Sequence, residues 1–396
     1  MFTFEAAQES DAVLQEDMIY LDYNATTPCD PAVVETLLPY FYEKFGNAAS
    51  KTHPYGWIAD EGITQARRQV AQLLGAEAEE IVFTSGATEG CNLALKGVFE
   101  MYAAKGNHII TVATEHKAVL DTCRQLQRKG AMVTYLEVDE DGLIDTAALE
   151  AAIRPETILI AVMYANNETG VIQPVEEIGR IARKHKVLFF TDATQAAGKI
   201  AIDLGREPID ILALSGHKFY GPKGVGALYI RRKDPRVRLL PQIDGGGHER
   251  GFRSGTLNVP GIVGLGKAAA ICSAHMAEEQ ERLRKLRDKL EQALLAVAGT
   301  MVNGSREYRM GHVCNLSFAG VKAERLVAAL NSEIAFSVGS ACTSASKEPS
   351  HVLEAMGLDE ERIKGAIRLS LGRFTTEEEA GLAVERIKKT VLSLQV

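Results

Sequence analysis

Residues 80–89, Glu-Ile-Val-Phe-Thr-Ser-Gly-Ala-Thr-Glu, decide the fold. The apolar run 81–83 is typical of a buried strand, and the small residues after it predict a tight turn into a helix. Gly86 and Ala87 would let the backbone approach a ligand closely. The N–H groups at the start of the helix would suit a phosphate, and Thr88 adds a hydroxyl. Taken alone, an ordinary capped strand-to-helix turn is the better explanation of these residues.

The same alternation of short apolar runs and amphipathic stretches continues from about residue 27 to residue 270. It predicts an α/β fold whose mostly parallel sheet is flanked by helices on both faces. A long charged helix, strand-like residues 313–318 and two further helices then predict a smaller α+β domain. We expect the large domain over 28–275, and the small domain to be built from 1–27 and 276–396. The runs that predict strands of the large domain are 81–83, 108–112, 132–136, 158–163, 187–191, 209–214 and 226–230.

Composition and charge exclude several classes of protein. The chain has 396 residues, of which 46% are hydrophobic and 24% are charged, so it can bury the cores of two domains. Its formal charge of −8 argues against a nucleic-acid partner bound by bulk electrostatics. The six cysteines include no Cys-x-x-Cys pair, so we expect neither a disulfide framework nor a metal site.

No apolar run of the sequence is long enough to predict a membrane span. Residues 1–17 contain five acidic residues and no Lys or Arg, which argues against a secretory signal and a basic transit peptide. We therefore expect a cytoplasmic protein that binds neither membrane nor nucleic acid directly.

Polar residues follow several of the predicted strands, where ligands of α/β sheets bind. Lys218 comes just past an apolar run and lies among glycines, so a confined amine of lowered pKa, able to form a Schiff base, is expected there. Lys223 is the rival, but its glycine-rich turn favours a solvent-facing side chain. Asp192 is well placed to meet a cofactor, although a helix cap explains it equally well. His116 lies at the same predicted edge and could stack on a ring or exchange protons.

Two further residues stand out near the C-terminus. Cys342 lies in the run Ser337-Val-Gly-Ser-Ala-Cys-Thr-Ser-Ala-Ser346, which is typical of a mobile, exposed loop rather than of a structural cysteine. A reactive thiol on such a loop could reach a substrate and carry a group away. Arg368 lies among apolar residues, where an arginine normally has a carboxylate partner from the protein or from a substrate.

Taken together, these residues resemble the class V aminotransferase-like cysteine desulfurases, of the housekeeping type that serves iron–sulfur cluster assembly. The matching segments run from Tyr20 nearly to the C-terminus, so the resemblance covers almost the whole chain. The segment GSACTSAS separates this group from the related selenocysteine-lyase-like branch. The segments are YLDYNATTP, EIVFTSGATEG, TEHKAVLDTCRQL, ANNETG, TDATQAAGK, SGHKFYGPKGVGALY, GGGHERGFRSGT, GSACTSASKEPSHVL and IRLSLGRFTTEEE.

The resemblance implies fold type I of the pyridoxal-phosphate-dependent transferases, and with it the cofactor pyridoxal 5'-phosphate. Lys218 would form the Schiff base and Asp192 would pair with the ring nitrogen. His116 would stack on the ring, with Gln195 near the ring hydroxyl. The residues matched to the phosphate site are Ala87, Thr88, Ser215, His217 and, from the second subunit of a homodimer, Thr256.

The resemblance also implies the reaction. L-Cysteine would become L-alanine, and its sulfur would form a persulfide on Cys342, in the loop of about residues 337–347. Asn47, Asn167 and Arg368 would bind the substrate, Arg368 through the carboxylate. Lys218 and His116 would transfer protons. The sulfur would go to iron–sulfur scaffold and acceptor proteins, and to tRNA thiolation.

Two departures from the family pattern bear on these expectations. Asn47 lies in Gly-Asn-Ala-Ala-Ser where the family usually has Gly-Asn-Pro-Ser-Ser, which leaves the placement of Asn47 open. The sequence ends at Val396, shortly after the last predicted helix, whereas housekeeping members usually continue with a tail that helps to dock the scaffold. Scaffold binding is therefore expected less firmly than the chemistry.

Three alternatives remain at this point. A selenocysteine lyase or an aminotransferase on the same fold would not need Cys342. A non-catalytic sulfur carrier would not need Lys218, Asp192 and His116 together with Cys342. A dinucleotide-binding dehydrogenase would need a Gly-x-Gly-x-x-Gly segment after its first strand, and the sequence has none there.

Overall fold

The computed structural model describes residues 18–338 and 349–395. In it the seven predicted apolar runs form the strands of a seven-stranded sheet. Two smaller sheets lie beyond it. In chain order the strands are β1 (Ile19–Tyr20), β2 (Ile81–Thr84), β3 (His108–Val112), β4 (Met132–Leu136), β5 (Thr157–Ala161), β6 (Leu188–Asp192), β7 (Ile211–Ser215), β8 (Gly226–Ile230), β9 (Thr300–Val302), β10 (Val313–Phe318), β11 (Ile334–Ala335) and β12 (Ala366–Ser370).

The large sheet has the strand order β2-β8-β7-β6-β5-β3-β4. Strands β4, β3, β5, β6 and β7 pair in parallel, while β8 runs antiparallel to both of its neighbours. The prediction of an α/β fold with a mostly parallel sheet flanked by helices is therefore confirmed. Because the parallel strands end at one edge, the residues that follow them converge there.

Helices cover both faces of this sheet and complete the smaller ones. They are α1 (Pro31–Leu37), α2 (Pro39–Tyr42), α3 (Pro54–Leu74), α4 (Ala87–Met101), α5 (Lys117–Gln127), α6 (Thr146–Ala151), α7 (Val175–Lys184), α8 (Val259–Leu295), α9 (Ala323–Leu330), α10 (His351–Ala355), α11 (Glu360–Lys364) and α12 (Glu377–Leu394). Sequence signals set several of their starts. Thr376 caps α12 in a capping box with Glu379, as the acidic first turn predicts.

The alternation of side chains along each strand divides the core between the two faces of the sheet. On β2, Ile81 and Phe83 join one buried cluster, whereas Val82 joins the cluster on the opposite face. A third cluster is formed by the C-terminal part of α8 together with β10, β12, α9 and α12. The division into 28–275 and the remaining segments stays a prediction, and this third cluster supports it.

Helix α8 joins the sheet to the third cluster. Its first half packs against α3 and the large sheet, and its second half carries the leucines of the third cluster. By length and composition alone α8 is apolar enough to cross a membrane, but Lys267 interrupts its apolar run, in agreement with the expectation from the sequence. Because 56% of that apolar window is buried inside the protein, the helix packs as a core element.

Candidate active site

A cavity of about 500 Å³ lies at the edge where the parallel strands end. The loops after β2, β3, β5, β6 and β7 line it, together with residues 24–26 after β1 and a side chain of β12. The predicted site residues that the structure brings together around this cavity are Ala87, Thr88, His116, Asn167, Asp192, Gln195, Ser215, His217, Lys218 and Arg368.

Lys218 ends a short 3₁₀ turn that directly follows the buried strand β7. Its ammonium donates to two backbone carbonyl oxygens, of Asn24 at 2.6 Å and of Ala25 at 2.7 Å. These contacts fix the amine at the wall of the cavity. The rival Lys223 is exposed and also lines the cavity.

Asp192 is the last residue of β6 and is buried at the cavity wall. Its Oδ1 accepts hydrogen bonds from the backbone N–H of Thr194 at 2.9 Å and from the Thr194 hydroxyl. Its Oδ2 lies 3.7 Å from the Sγ of Cys91. Asp192 therefore closes the turn after β6, which is not followed by a helix as the capping alternative requires, and its side chain also lines the cavity.

The acidic neighbours of Asp192 keep their protons. Burial raises the pKa of the Glu115 carboxyl well above its ordinary value, and the negative charge of Asp192 is the second cause. The same two causes raise the pKa of the Cys91 thiol. Oε1 of Glu115 accepts from the backbone N–H of Met163, and Oε2 has no partner among the described residues. Glu115 is thus a neutral carboxyl group buried beside the cavity.

His116 caps α5, and this position fixes its tautomer. Its Nδ1 accepts from the backbone N–H of Ala118 at 3.1 Å. In the neutral ring Nδ1 then carries the lone pair and Nε2 carries the proton.

The first turn of α4 forms one end of the cavity. Gly86 has φ 154°, which L residues rarely adopt, and an added Cβ there would lie 3.6 Å from the hydroxyl oxygen of Ser215. The turn at Gly86 packs directly on β8, because a Cβ at Gly226 would meet the Cα of Gly86 at 2.7 Å. Helix N–H groups and the hydroxyls of Thr88 and Ser215 thus surround one space, which suits an anion.

His217 lies at the same end and is neutral. Burial, together with the charges of Lys218, Lys223 and Lys199, lowers its pKa to about 4. Its Nδ1 is 3.1 Å from the hydroxyl oxygen of Thr26. An uncharged imidazole can still donate one hydrogen bond to an anion.

Arg368 projects from β12 and is almost completely buried. Its guanidinium donates to Asp22 Oδ1 at 2.6 Å, to the carbonyl of Asn167 at 2.9 Å and to the hydroxyl of Ser337 at 3.0 Å. Its Nε has no hydrogen-bond partner among the described residues. A buried donor without a partner on a cavity-lining arginine fits an anionic ligand such as a carboxylate.

Two predicted site residues are not at the cavity wall. Asn47 is exposed, and its Oδ1 accepts from the backbone N–H of Ala49 in its own turn. Thr256 is also exposed and does not line the cavity of its own chain. Cys342 lies outside the described residues.

Sequence reasoning missed Asn24, the residue that joins most parts of the wall. Its backbone oxygen accepts from Lys218, its Nδ2 donates to the carbonyl of Asn167 at 3.1 Å, and its Oδ1 contacts His312. The available signal was the position of Asn24-Ala-Thr-Thr directly after the first strand.

Comparison with known proteins agrees with this arrangement. The model of the aminotransferase class-V family matches residues 19–382. A protein named cysteine desulfurase IscS from Anaeromyxobacter sp. (strain Fw109-5) is 56% identical over 376 residues, which is 94% of this chain and 93% of that protein. The chain belongs to the cysteine desulfurases of the class-V aminotransferase family. The resemblance found in the sequence is confirmed.

Other cysteine desulfurases match over the same extent. The protein named cysteine desulfurase IscS from Mannheimia succiniciproducens is 55% identical, over 95% of this chain and 93% of its own. A solved structure described as a NIFS-like protein superimposes with a TM-score of 0.89 at 39% identity, covering 95% of this chain and all of that one. Both the large sheet and the small domain region are therefore shared with this desulfurase fold.

Proposed function

We propose that this enzyme breaks the C–S bond of L-cysteine, releases L-alanine and keeps the sulfur as a persulfide on Cys342. One observation carries the proposal: Lys218, Asp192 and Arg368 line the same cavity. An amine, a carboxylate and a guanidinium are the groups that a pyridoxal-phosphate enzyme needs for the aldehyde, the ring nitrogen and the substrate carboxylate.

The residues around the cavity fit pyridoxal 5'-phosphate. The first turn of α4, with Thr88, Ser215 and His217, would hold the phosphate, because it offers N–H and O–H donors and an uncharged imidazole. Asp192 would pair with the protonated ring nitrogen, and Lys218 would hold the aldehyde carbon. When bound, the cofactor supplies the electron sink that makes the bonds around the substrate Cα labile.

The chain's own groups then bind the amino acid and move its protons. Arg368 binds the carboxylate through Nε and its remaining hydrogens, since Asp22 and the carbonyl of Asn167 already hold the other face of the guanidinium. Lys218 transfers the α-proton. His116 carries its proton on Nε2 and can donate it in one of the proton transfers of the reaction.

The sulfur transfer balances without an external oxidant. The Cys342 thiolate attacks the substrate sulfur, so one S–S bond forms while the C–S bond breaks with its electron pair on carbon. A proton at that carbon completes alanine. Cys342 then carries a persulfide whose outer sulfur an acceptor thiol or an added reductant can take.

The destination of the sulfur follows from the relatives named cysteine desulfurase IscS. We assign the enzyme to iron–sulfur cluster assembly, with a scaffold protein and other sulfur acceptors as its partners. The assignment to the cytoplasm follows from the acidic composition of the chain and from the packing of α8 in the core. The further destination in tRNA thiolation stays a prediction.

A second copy of the chain completes the proposed site. Thr256, the predicted phosphate ligand, is exposed and away from its own cavity. An apolar surface between α1 and the start of α3 is a suitable interface, because contiguous exposed aromatic and aliphatic side chains mark contact surfaces. Its exposed residues are Val34, Leu38, Phe41, Tyr42, Phe45, Tyr55, Trp57 and Ile58.

Light scattering coupled to gel filtration tests this dimer. The wild-type protein should have twice the mass of the chain, and Phe41→Asp combined with Trp57→Ser should shift it to the monomer. The exposed substitution Leu392→Ser on α12 serves as the control. A wild-type monomer across the micromolar range would refute the dimer.

The function itself is tested by quantifying alanine and sulfide together. Cofactor-loaded enzyme receives L-cysteine and a thiol reductant, beside Cys342→Ala and the control Cys29→Ala, a part-buried cysteine. We expect equal amounts of both products, lost in Cys342→Ala and kept in the control. Alanine formation that survives the loss of Cys342 would indicate a lyase, and no alanine with any variant would indicate a transaminase.

A further inference from the structure

Lys199 lies directly behind the cavity wall and has no part in the proposed reaction. Its Nζ is 3.3 Å from Oε1 of Gln195 and 3.2 Å from Nε2 of His312. Among the described residues no carboxylate forms an ion pair with it. Lys199 is part-buried, and placing an ammonium there without an opposite charge is unfavourable.

The contact with Gln195 decides which way that amide faces. With Lys199 as donor on the Oε1 side, the Gln195 NH₂ group lies on the other side and donates to the backbone oxygen of Asn24 at 3.0 Å. A flipped amide would place two donors together at Lys199 and two acceptors together at Asn24. Lys199 therefore selects one of the two amide orientations.

The Asn24 oxygen also holds the amine of Lys218, at 2.6 Å. Lys199, Gln195, Asn24 and Lys218 thus form a continuous series of hydrogen bonds into the cavity. On the other side of Lys199, Nε2 of His312 lies 2.9 Å from Oδ1 of Asn24. Both neighbours of Lys199 consequently bond to the same asparagine.

The charges around Lys199 are mostly of its own sign. Burial and the nearby cations lower its pKa to about 7, while one thiol and one carboxyl group act in the opposite direction. The imidazole at its side is neutral, since burial holds the pKa of His312 well below its ordinary value. The groups that face Lys199 are Lys218, Arg368, His312, Cys272 and Glu279.

We propose that Lys199 is a positioning residue of the active site, which fixes the Gln195 amide with its NH₂ group on the side of Asn24 and Lys218. In this orientation Gln195 presents an N–H donor, and the cofactor oxygen that it meets must be an acceptor. The inference rests on the proposed cofactor and concerns a residue that does not touch it.

Binding of pyridoxal phosphate to the cofactor-free full-length enzyme tests the inference without turnover. Lys199→Met keeps the length of the side chain and removes the donor. We expect its dissociation constant to rise about tenfold, the effect of one lost hydrogen bond to a charged or well-ordered group. The control Lys389→Met, at an exposed position of α12, should bind as the wild type does.

A double-mutant cycle distinguishes positioning from a general loss of structure. If Lys199 acts through the amide, Gln195→Leu with Lys199→Met binds no more weakly than Gln195→Leu alone. If the two substitutions each weaken binding and their effects multiply in the double variant, the inference is overturned. It is also overturned if Lys199→Met binds pyridoxal phosphate with wild-type affinity. A wild-type enzyme that binds no pyridoxal phosphate would instead refute the proposed function.

The pH dependence provides a readout that a packing role would not move. The ratio of wild-type to Lys199→Met affinity should fall as the pH rises through about 7, where the ammonium loses its proton. Rising pH removes only the charged donor and leaves the side chain in place. If this affinity ratio stays constant between pH 6 and pH 8.5, the Lys199 side chain contributes only by packing.

Discussion

The pKa shifts at two walls of the cavity run in opposite directions. One wall lies around Asp192 and the other lies around Arg368. Around Asp192, the acidic neighbours Glu115 and Cys91 have raised pKa values and stay protonated. Around Arg368, the basic neighbours Lys199 and His312 have lowered pKa values and tend to lose their protons. In all four groups burial is the largest cause of the pKa shift, and the like-signed neighbours add to it.

This difference shows how a buried site can hold one strong anion and one strong cation without filling with charge. Neighbours of the same sign have pKa values shifted toward their neutral forms, and they remain as hydrogen-bonding groups. The walls then differ in what they offer. The Asp192 wall is suited to a cation such as a protonated ring nitrogen, and the Arg368 wall is suited to a carboxylate.

The largest effect is expected where the walls meet, at Lys218. Lys218→Ala should lower the rate of alanine formation roughly a thousandfold or more, because it removes both the covalent attachment and the proton transfer. Borohydride reduction followed by peptide mapping should find the cofactor on Lys218 in the wild type. The exposed Lys223→Ala is the control, and cofactor on Lys223 would contradict the assignment.

The next effect compares the two carboxyl groups of one wall. Asp192→Asn should lower kcat about 100-fold or more, since it removes the charge opposite the ring nitrogen. Glu115→Gln should change kcat less than about threefold, because a neutral amide replaces a carboxyl that is already neutral. Steady-state alanine formation measures both, and equal losses would mean that both groups are charged.

The opposite wall is tested by a substitution that keeps the positive charge of Arg368 and changes the shape of the side chain. Arg368→Lys should raise the KM for cysteine roughly 10- to 100-fold with a smaller change in kcat, because a lysine cannot grip a carboxylate through two parallel N–H bonds. Arg386→Lys, at a half-exposed ion pair with Glu333, is the matched control. An unchanged KM would place the substrate carboxylate elsewhere.

The smallest effect appears in stability rather than in rate. Glu115 has a raised pKa in the folded enzyme, so the native state holds a proton that the unfolded chain releases above its ordinary pKa of about 4.3. The contribution of this bound proton to the free energy of unfolding is complete below the unfolded pKa. It is lost as the pH rises toward the pKa of Glu115 in the folded enzyme. Relative to Glu115→Gln, the wild type should lose up to about 1.4 kcal/mol per pH unit.

Urea unfolding of both proteins between pH 5 and pH 8 measures this difference. Glu115→Gln has no proton to lose at this position and should be less sensitive to pH. Parallel curves for the two proteins would show that Glu115 is charged in the native state, which would break the comparison between the walls.

Much of the fold was predictable, because apolar runs and small-residue turns are local signals. The runs that become the parallel strands β3, β6 and β7, and the polar residues after them, place Asp192, His116 and Lys218 at one edge by the geometry of parallel strands alone. What the sequence did not reveal depends on tertiary contacts. The pairing of Arg368 with Asp22 joins residues 346 positions apart.

The buried series through Asn24, Gln195 and Lys199 was missed for the same reason. Lys199 reads as an ordinary surface lysine, and only the packing of His312 against it shows otherwise. Whether the apolar helix α8 is a span or a core element is likewise decided by what packs on it.

Helix α8 has one more consequence. Its 37 residues extend about 55 Å, and between Cys272 and Leu283 none of them is buried. The number of residues in these exposed turns nevertheless sets the rotation and the distance between the two halves of the helix. One inserted residue would rotate everything beyond it by about 100° and advance it by about 1.5 Å, turning Leu283 and the leucines after it away from their cluster. The number of residues in 273–282 is therefore fixed by the packing on either side of them.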